Sequence, residues 1–334
     1  MRTAWLAACL LVAATGLRAQ TLDSIRKAGE LKCGVEAGLA GFSQIDGKGT
    51  WQGLDVDICR AVAAAALGDG RKVKFVPLTP QTRFTALQSG EIDLLTFDTT
   101  WTLSRETNSG LLFAGVDFYD GQGFMVRADS DAKSAKDLDG ATVCLQPGTV
   151  TELNLADFQK LNNVRLRPVP IDDLPQAVGA FQSGRCDAYT ADASALAGIK
   201  AGLRRPEDAR ILPDIASKEP LGPSVRSDDV RWFKLVRWTL FAMIAAEELG
   251  VTQANVDEML KSANPNVQRL LGLDSKLGES LGVSNDWAVR IVRTVGNYGE
   301  SFERNMGSGS PLGLPRGLNA LWSKGGLMYA PPVR

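Results

Sequence analysis

A thirteen-residue segment occurs twice in this chain. Ala86–Asp98 reads ALQSGEIDLLTFD and Ala180–Asp192 reads AFQSGRCDAYTAD, with seven of thirteen positions identical at a constant offset of 94. At average residue frequencies of roughly 5–7%, a match that dense is not expected by chance. Each copy reads as a helix end, a glycine for the left-handed cap, then a buried strand starting at the aspartate. In an open parallel sheet, ligands bind beyond the carboxyl ends of the strands. That end falls on Thr96–Asp98 in one copy and Thr190–Asp192 in the other. Two similar α/β lobes, each offering a carboxylate at a strand end, describe a cleft that closes on a small molecule.

The first nineteen residues read as a leader. Arg2 gives the positive start, Trp5 to Ala14 the apolar stretch, and Leu17-Arg18-Ala19 the small-residue exit before Gln20. The apolar stretch is too short to span a bilayer. Leu6 to Cys9 resembles a lipoprotein acceptor, but its cysteine precedes most of the apolar stretch, so the match is read as coincidence. The expectation is a cleavable signal peptide and a periplasmic protein. Without Arg2 and Arg18, the 37 basic residues fall to 35 against 38 acidic ones. That balance gives no basic footprint for nucleic acid, and a monomer is expected.

Beyond the leader, four cysteines remain: Cys33, Cys59, Cys144 and Cys186. An even count in an oxidising compartment implies disulfides, with three pairings open. Cys33 falls on the first strand and Cys59 on the following helix. Cys144 and Cys186 flank the second repeat in the same way. The expected bridges are therefore 33–59 and 144–186.

Hydrophobic patterning supplies the rest of the plan. The first lobe reads as strand Leu31–Val35, a glycine-rich loop, a helix with apolar face Ile58, Ala61, Val62 and Ala65, strand Val73–Leu78, helix Thr82–Ser89 and strand Ile92–Thr96. The second reads as strand Thr142–Leu145, a helix from Thr149, strand Val164–Pro168, helix Leu174–Gln182 and strand Cys186–Thr190. Asp117 to Val126 reads as one crossing strand with a glycine bend, and Lys218 to Pro223 as the return. A long helix, Val230 to Leu249, carries the stripe Trp232, Leu235, Val236, Leu240, Met243 and Ile244. Asp228 or Asp229 can cap it, and the C-terminal segment is expected to pack on the first lobe. Gly307 to Leu314 reads as a loop.

The chain has no histidine. This removes histidine triads and histidine-ligated metals, and no cofactor or metal is expected. Gly47-Lys48 looks like part of a phosphate loop, but five residues separate Gly41 from Gly47 where four are needed, and Gly49 stands in place of Ser or Thr. The informative stretch runs from Thr99 to Arg105, where hydroxyls, backbone N–H groups and one arginine suit a carboxylate. On the other lobe, Gln146 to Thr151 opens a helix, and Asp192 would complement an ammonium. Arginine on one lobe and aspartate on the other match a zwitterion.

These residues carry a resemblance. The stretches Gly53–Asp57, Arg83–Gly90, Thr99–Thr102, Tyr119–Val126, Ser217–Pro223 and Gly325–Pro332 resemble the periplasmic solute-binding proteins of amino-acid ABC transporters, family 3, nearest their general L-amino-acid branch. The resemblance implies a bilobed, type II Venus-flytrap fold with two crossover strands. The expected lobes are 20–119 plus 224–334, and 120–223. It further implies an amino-acid ligand, an ABC permease as partner, and α-carboxylate binding by Arg105 and Thr102 with Thr100 in the same motif. Asp192 matches the ammonium aspartate, Asp98 the ammonium side of the pocket, and Arg83 a position facing the ligand side chain. The family's Gly-Thr-Thr falls on Gly148, Thr149 and Val150, so one hydroxyl is missing. The opening ligand loop, Gly34 to Ser43, contributes Leu39 and Phe42, and its Glu36 is more acidic than usual. The branch has Arg-Asn where this chain has Phe97 and Asp98, which shifts the pocket towards negative and apolar. Two rivals remain: a dehydratase-like enzyme on the same fold, with Glu36 or Asp98 as general acid, and a ligand-sensing subunit.

Overall fold

The computed structural model of the chain describes residues 20–334; the leader expected over 1–19 lies outside them. The sequence repeat appears as two five-stranded sheets with the same internal plan. In the first, the strand order is Val73–Leu78, Leu31–Glu36, Leu94–Leu95, Ser224–Arg226 and Leu111–Phe113. In the second it is Arg167–Pro170, Thr142–Leu145, Ala188–Asp192, Gln122–Arg127 and Ala209–Ile211. The first three strands of each sheet run parallel, and the fourth runs antiparallel to them. The two copies of the repeat supply the central strand of each sheet. The fold is thus the bilobed arrangement expected.

Several boundaries differ, for physical reasons. Val164 and Leu166 are buried, which is the signal their pattern carries, but strand pairing begins only at Arg167, opposite Thr142. Similarly, the first central strand is cut to Leu94–Leu95, because Leu94 and Leu95 alone find partners on Cys33 and Gly34. In the second lobe that strand runs on to Asp192, whose partner is Gln122. The helix expected from Thr149 starts at Thr151, and Arg83 rather than Thr82 opens the one before Ser89.

The crossing strand expected over Asp117 to Val126 is two strands. Phe118–Asp120 pairs antiparallel with the return strand Glu219–Leu221, while Gln122–Arg127 enters the second sheet. They break at Gly121, where any Cβ would come within 2.7 Å of the Ser217 carbonyl oxygen. The resulting two-stranded ribbon is the crossover between lobes.

The helix Leu54–Leu67 corrects another expectation. Instead of one apolar stripe it is buried on nearly every side, with helices Val230–Glu248 and Trp287–Val295 packed over it. Its run of alanines permits that close approach, and an all-round apolar helix belongs in a core. The long helix keeps its expected stripe buried, and Asp229 caps it by accepting the Trp232 N–H. C-terminal residues also reach the crossover. The buried Asn319 side chain accepts the Tyr119 N–H at 2.7 Å and donates to the Tyr119 carbonyl at 3.1 Å, as a third strand would. Tyr298 donates its hydroxyl to the Asp117 carbonyl nearby.

Both bridges form as expected, Cys33–Cys59 and Cys144–Cys186, spanning 26 and 42 residues. Constraining loops of that size stabilises each lobe by about 3–4 kcal/mol on the chain-entropy estimate. Among the described residues, no helix is long and apolar enough to cross a membrane.

Candidate functional site

A cavity lies between the lobes at the carboxyl ends of both central strands. From the first lobe come Glu36, Leu39, Arg83, Phe97, Asp98, Thr100 and Arg105. Arg105 sits in the short helix Leu103–Asn108, which Thr102 caps by accepting the Arg105 N–H. Its Nη1 donates to the Thr100 carbonyl at 2.7 Å, and its guanidinium stacks 5.2 Å from the Phe84 ring centre. Arg83 also lies over the Phe84 ring, at 4.9 Å, and over Phe97 at 5.0 Å. Phe97, which stands where the resembling branch has arginine, is therefore an aromatic floor under Arg83. Such stacking fixes a guanidinium that a longer, free side chain would let wander.

Asp98 adopts a left-handed backbone, φ 46°, and donates its N–H to Asp55 Oδ2 at 3.1 Å. That turn ends the short central strand and brings the carboxylate to the cavity. Its Oδ1 is enclosed and has no hydrogen-bond partner, as is the Nε of Arg83.

The second lobe contributes Gln146, Thr149, Val150, Tyr189, Ala191 and Asp192. The helix Thr151–Asn162 begins directly after Val150, so its free N–H groups meet the cavity rim. The Thr149 hydroxyl is already donated to the Gln146 carbonyl. Asp192 ends the central strand and directly precedes the helix Ala193–Gly202, with no capping hydrogen bond from its side chain.

The lobes touch across the cleft. Arg83 Nη2 donates to the Gly148 carbonyl at 3.4 Å. Gly148 has φ 77°, and a Cβ there would press on Gln81 of the facing lobe at 3.1 Å. A Cβ at Gly198 would come within 2.4 Å of the Ala40 carbonyl oxygen. Both glycines permit a close approach that any side chain would resist.

Burial sets the electrostatics. It pushes Glu36 up to about 7, against the opposing pull of Arg83 and of a hydrogen bond from Gln146. Burial likewise raises Asp98 well above the carboxylate range, helped by Asp192, Asp120, Asp55 and Glu36. Asp192 is raised by burial and by Asp120 and Glu219, while Arg105 and Arg83 pull it down. Burial, then Arg105, lowers Arg83 to about 9. Behind the cavity, burial raises Asp117 to about 7. Three acids and two guanidiniums line the cavity, and none of the acids is fully compensated.

Of the residues singled out from sequence, Arg105, Thr100, Asp98, Asp192, Thr149, Val150, Arg83 and Leu39 come together here. Two do not line the cavity. Thr102 is spent on its helix cap, and Phe42 is buried edge-on against Phe118 at 5.5 Å. The sequence reading missed Tyr189, Leu174, Ala195 and Ile199. Ala195 and Ile199 lie four apart on the helix that follows Asp192, so helical spacing from Asp192 was the available signal. Among the described residues, no cluster of three or more Cys, Asp or Glu could hold a metal ion.

Residues 31–255 match the bacterial extracellular solute-binding proteins, family 3, and the chain belongs to that family. It is 54% identical to the general L-amino acid-binding periplasmic protein AapJ of Rhizobium johnstonii, over 98% of this chain and 97% of that one. It is also 54% identical to the glutamate/glutamine/aspartate/asparagine-binding protein BztA of Rhodobacter capsulatus, over 95% of this chain and 94% of that one. A solved ABC-transporter periplasmic binding protein from Brucella ovis, with glutathione bound, superposes with a TM-score of 0.93. That protein is 55% identical, and the match covers 95% of this chain and all of the other.

Proposed function

We propose that this family 3 protein captures an amino acid, or a molecule with an amino-acid head group, between its lobes and delivers it to an ABC permease. The observation that carries this reading is the pairing across one cavity of Arg105 on the first lobe with Asp192 on the second. Arg105 Nη2 has no hydrogen-bond partner among the described residues, and two parallel N–H groups suit a carboxylate. The Thr151–Asn162 helix start adds backbone donors to that side, and Asp192 takes the ammonium. The protein works in the periplasm as a monomer, without nucleic acid and without turning its ligand over. The names of the two bacterial relatives support the ligand class. Glutathione fits it as well, because its γ-glutamyl end carries a free α-ammonium and α-carboxylate.

Within that class, net charge decides preference. With three acids against two guanidiniums, an additional acidic side chain must be desolvated beside carboxylates, which costs several kcal/mol unless it protonates. Neutral and cationic amino acids are therefore expected to bind more tightly than glutamate, aspartate or glutathione. Calorimetry at neutral pH with the twenty amino acids and glutathione decides it, alongside mass spectrometry of what co-purifies. Glutamate, aspartate or glutathione as the tightest ligand would show that Arg83 governs the pocket instead.

One observation favours a second reading, an enzyme using Glu36 as general acid, since its pKa of about 7 suits proton transfer. Any chemical change in a bound ligand on prolonged incubation would support it.

A further inference from the structure

Asp98 and Asp192 hold the same place in the two copies of the sequence repeat, and the fold brings both to one cavity. We infer that together they form a two-carboxylate seat for a single ammonium group, in which Asp98 holds a proton in the free protein and releases it when the ammonium arrives. This rests on the reading that the ligand is an amino-acid zwitterion.

The geometry supplies the reason. Asp98 Oδ1 is shut off from water without a partner, a costly state for an ionised oxygen. The left-handed turn at Asp98, fixed by its N–H to Asp55, holds it there. The groups around it come from every packed element: Asp55 from the core helix, Glu36 from the first strand, Asp120 from the crossover and Asp192 from the second lobe. Arg83 and Arg105 are the two cations that feel it. Asp192 faces Asp120 and Glu219, with the same two arginines in opposition. Two carboxylates this enclosed cannot both ionise freely, so one proton stays on the pair. Burial raises both carboxyls, but Arg105 and Arg83 pull Asp192 back down, whereas the Asp98 Oδ1 is enclosed without a partner, so the proton rests on Asp98.

An ammonium has three donors and no acceptor, whereas a protonated carboxyl presents an O–H that opposes it. The arriving ammonium therefore replaces the proton, which leaves to solvent, and no other bond changes. Binding then strengthens as pH rises and weakens as it falls. The slope reaches about tenfold per pH unit while a whole proton is displaced, since one pKa unit is about 1.4 kcal/mol.

The test is calorimetry on the full chain with the twenty standard L-amino acids as probes, each binder titrated in phosphate and in Tris between pH 6 and 8. The native protein is expected to release close to one proton per ligand at pH 7. Asp98→Asn should bind about tenfold more weakly at pH 8, with the deficit closed near pH 7, reversed at pH 6, and the proton release gone. Asp192→Asn should lose more than a hundredfold at every pH. Glu36→Gln, which removes the other high-lying acid of the cavity, should keep the release. Binding without proton release, release that survives in Asp98→Asn, or release that vanishes in Glu36→Gln would each overturn the seat. If no amino acid binds, the zwitterion reading fails and the seat falls with it.

Discussion

The two lobes began from one plan and meet the ligand with opposite equipment. The first lobe presents side chains: Arg83 and Arg105, both over the Phe84 ring, with Asp98 on a left-handed turn. The second presents backbone, the start of helix Thr151–Asn162, with Asp192 as its acidic complement. In the first lobe the central strand stops after two residues and its aspartate leaves the ladder. In the second the strand runs to the aspartate itself. The same Thr-x-Asp thus yields a carboxylate on a left-handed turn in one lobe and one on the sheet ladder in the other. Thr96 and Thr190 show the same divergence. Thr96 lies against the Cys33–Cys59 bridge, whereas Thr190 donates to Gly123 and accepts from Gln122. A repeat specifies where a strand ends, while its neighbours decide what that end can do.

Breaking the first lobe's anchor should have the largest effect. Arg105→Ala is expected to cost about 2–5 kcal/mol in ligand binding, because a buried carboxylate loses its partner. Unchanged affinity in calorimetry would move carboxylate binding to the second lobe's helix start.

The bridges compare the lobes directly. Replacing either cysteine pair with serine should cost about 3–4 kcal/mol in urea unfolding, and the 26- and 42-residue loops should differ by only about 0.5 kcal/mol. Peptide mapping without reduction should find no bridge between lobes, since one would prevent them from parting.

Acid dependence follows from Glu36. Its folded pKa of about 7 lies above the ordinary 4.5 of a glutamate, so the folded state holds the proton more tightly. Stability from this group is full below about pH 4.5 and is lost as pH rises towards and past 7. Glu36→Gln should flatten that decline and raise ligand-free stability at pH 8 by up to about 3 kcal/mol. Denaturant unfolding at pH 5 and pH 8 measures it, and an equal effect at both would assign Glu36 a merely structural part.

The smallest change sharpens the second lobe. Val150→Thr supplies the hydroxyl that the family pattern carries there, and should tighten binding by about 0.5–1.5 kcal/mol. No gain would mean that the backbone N–H groups of this helix start already satisfy the ligand.

The repeat by itself determined the two sheets, the position of the cleft and the pairing of the cysteines, because hydrophobic period, glycine caps and strand ends are local properties of a chain. It also brought Arg105, Asp98 and Asp192 into view, since strand ends are where an open sheet binds. Tertiary structure decided the rest. Phe42 and Thr102 look like ligand residues in sequence, yet one fills the core and the other caps a helix. Tyr189 carries no mark of a site residue until the second sheet turns it to the cavity. Phe97 reads as a lost charge until Arg83 is seen stacked on it. Asn319 bonds a crossover strand 200 residues away, which no local pattern encodes. The physical reason is common to all of these. Burial and partner depend on which distant backbone arrives alongside, and the charge of a carboxylate such as Asp98 depends on burial and partner.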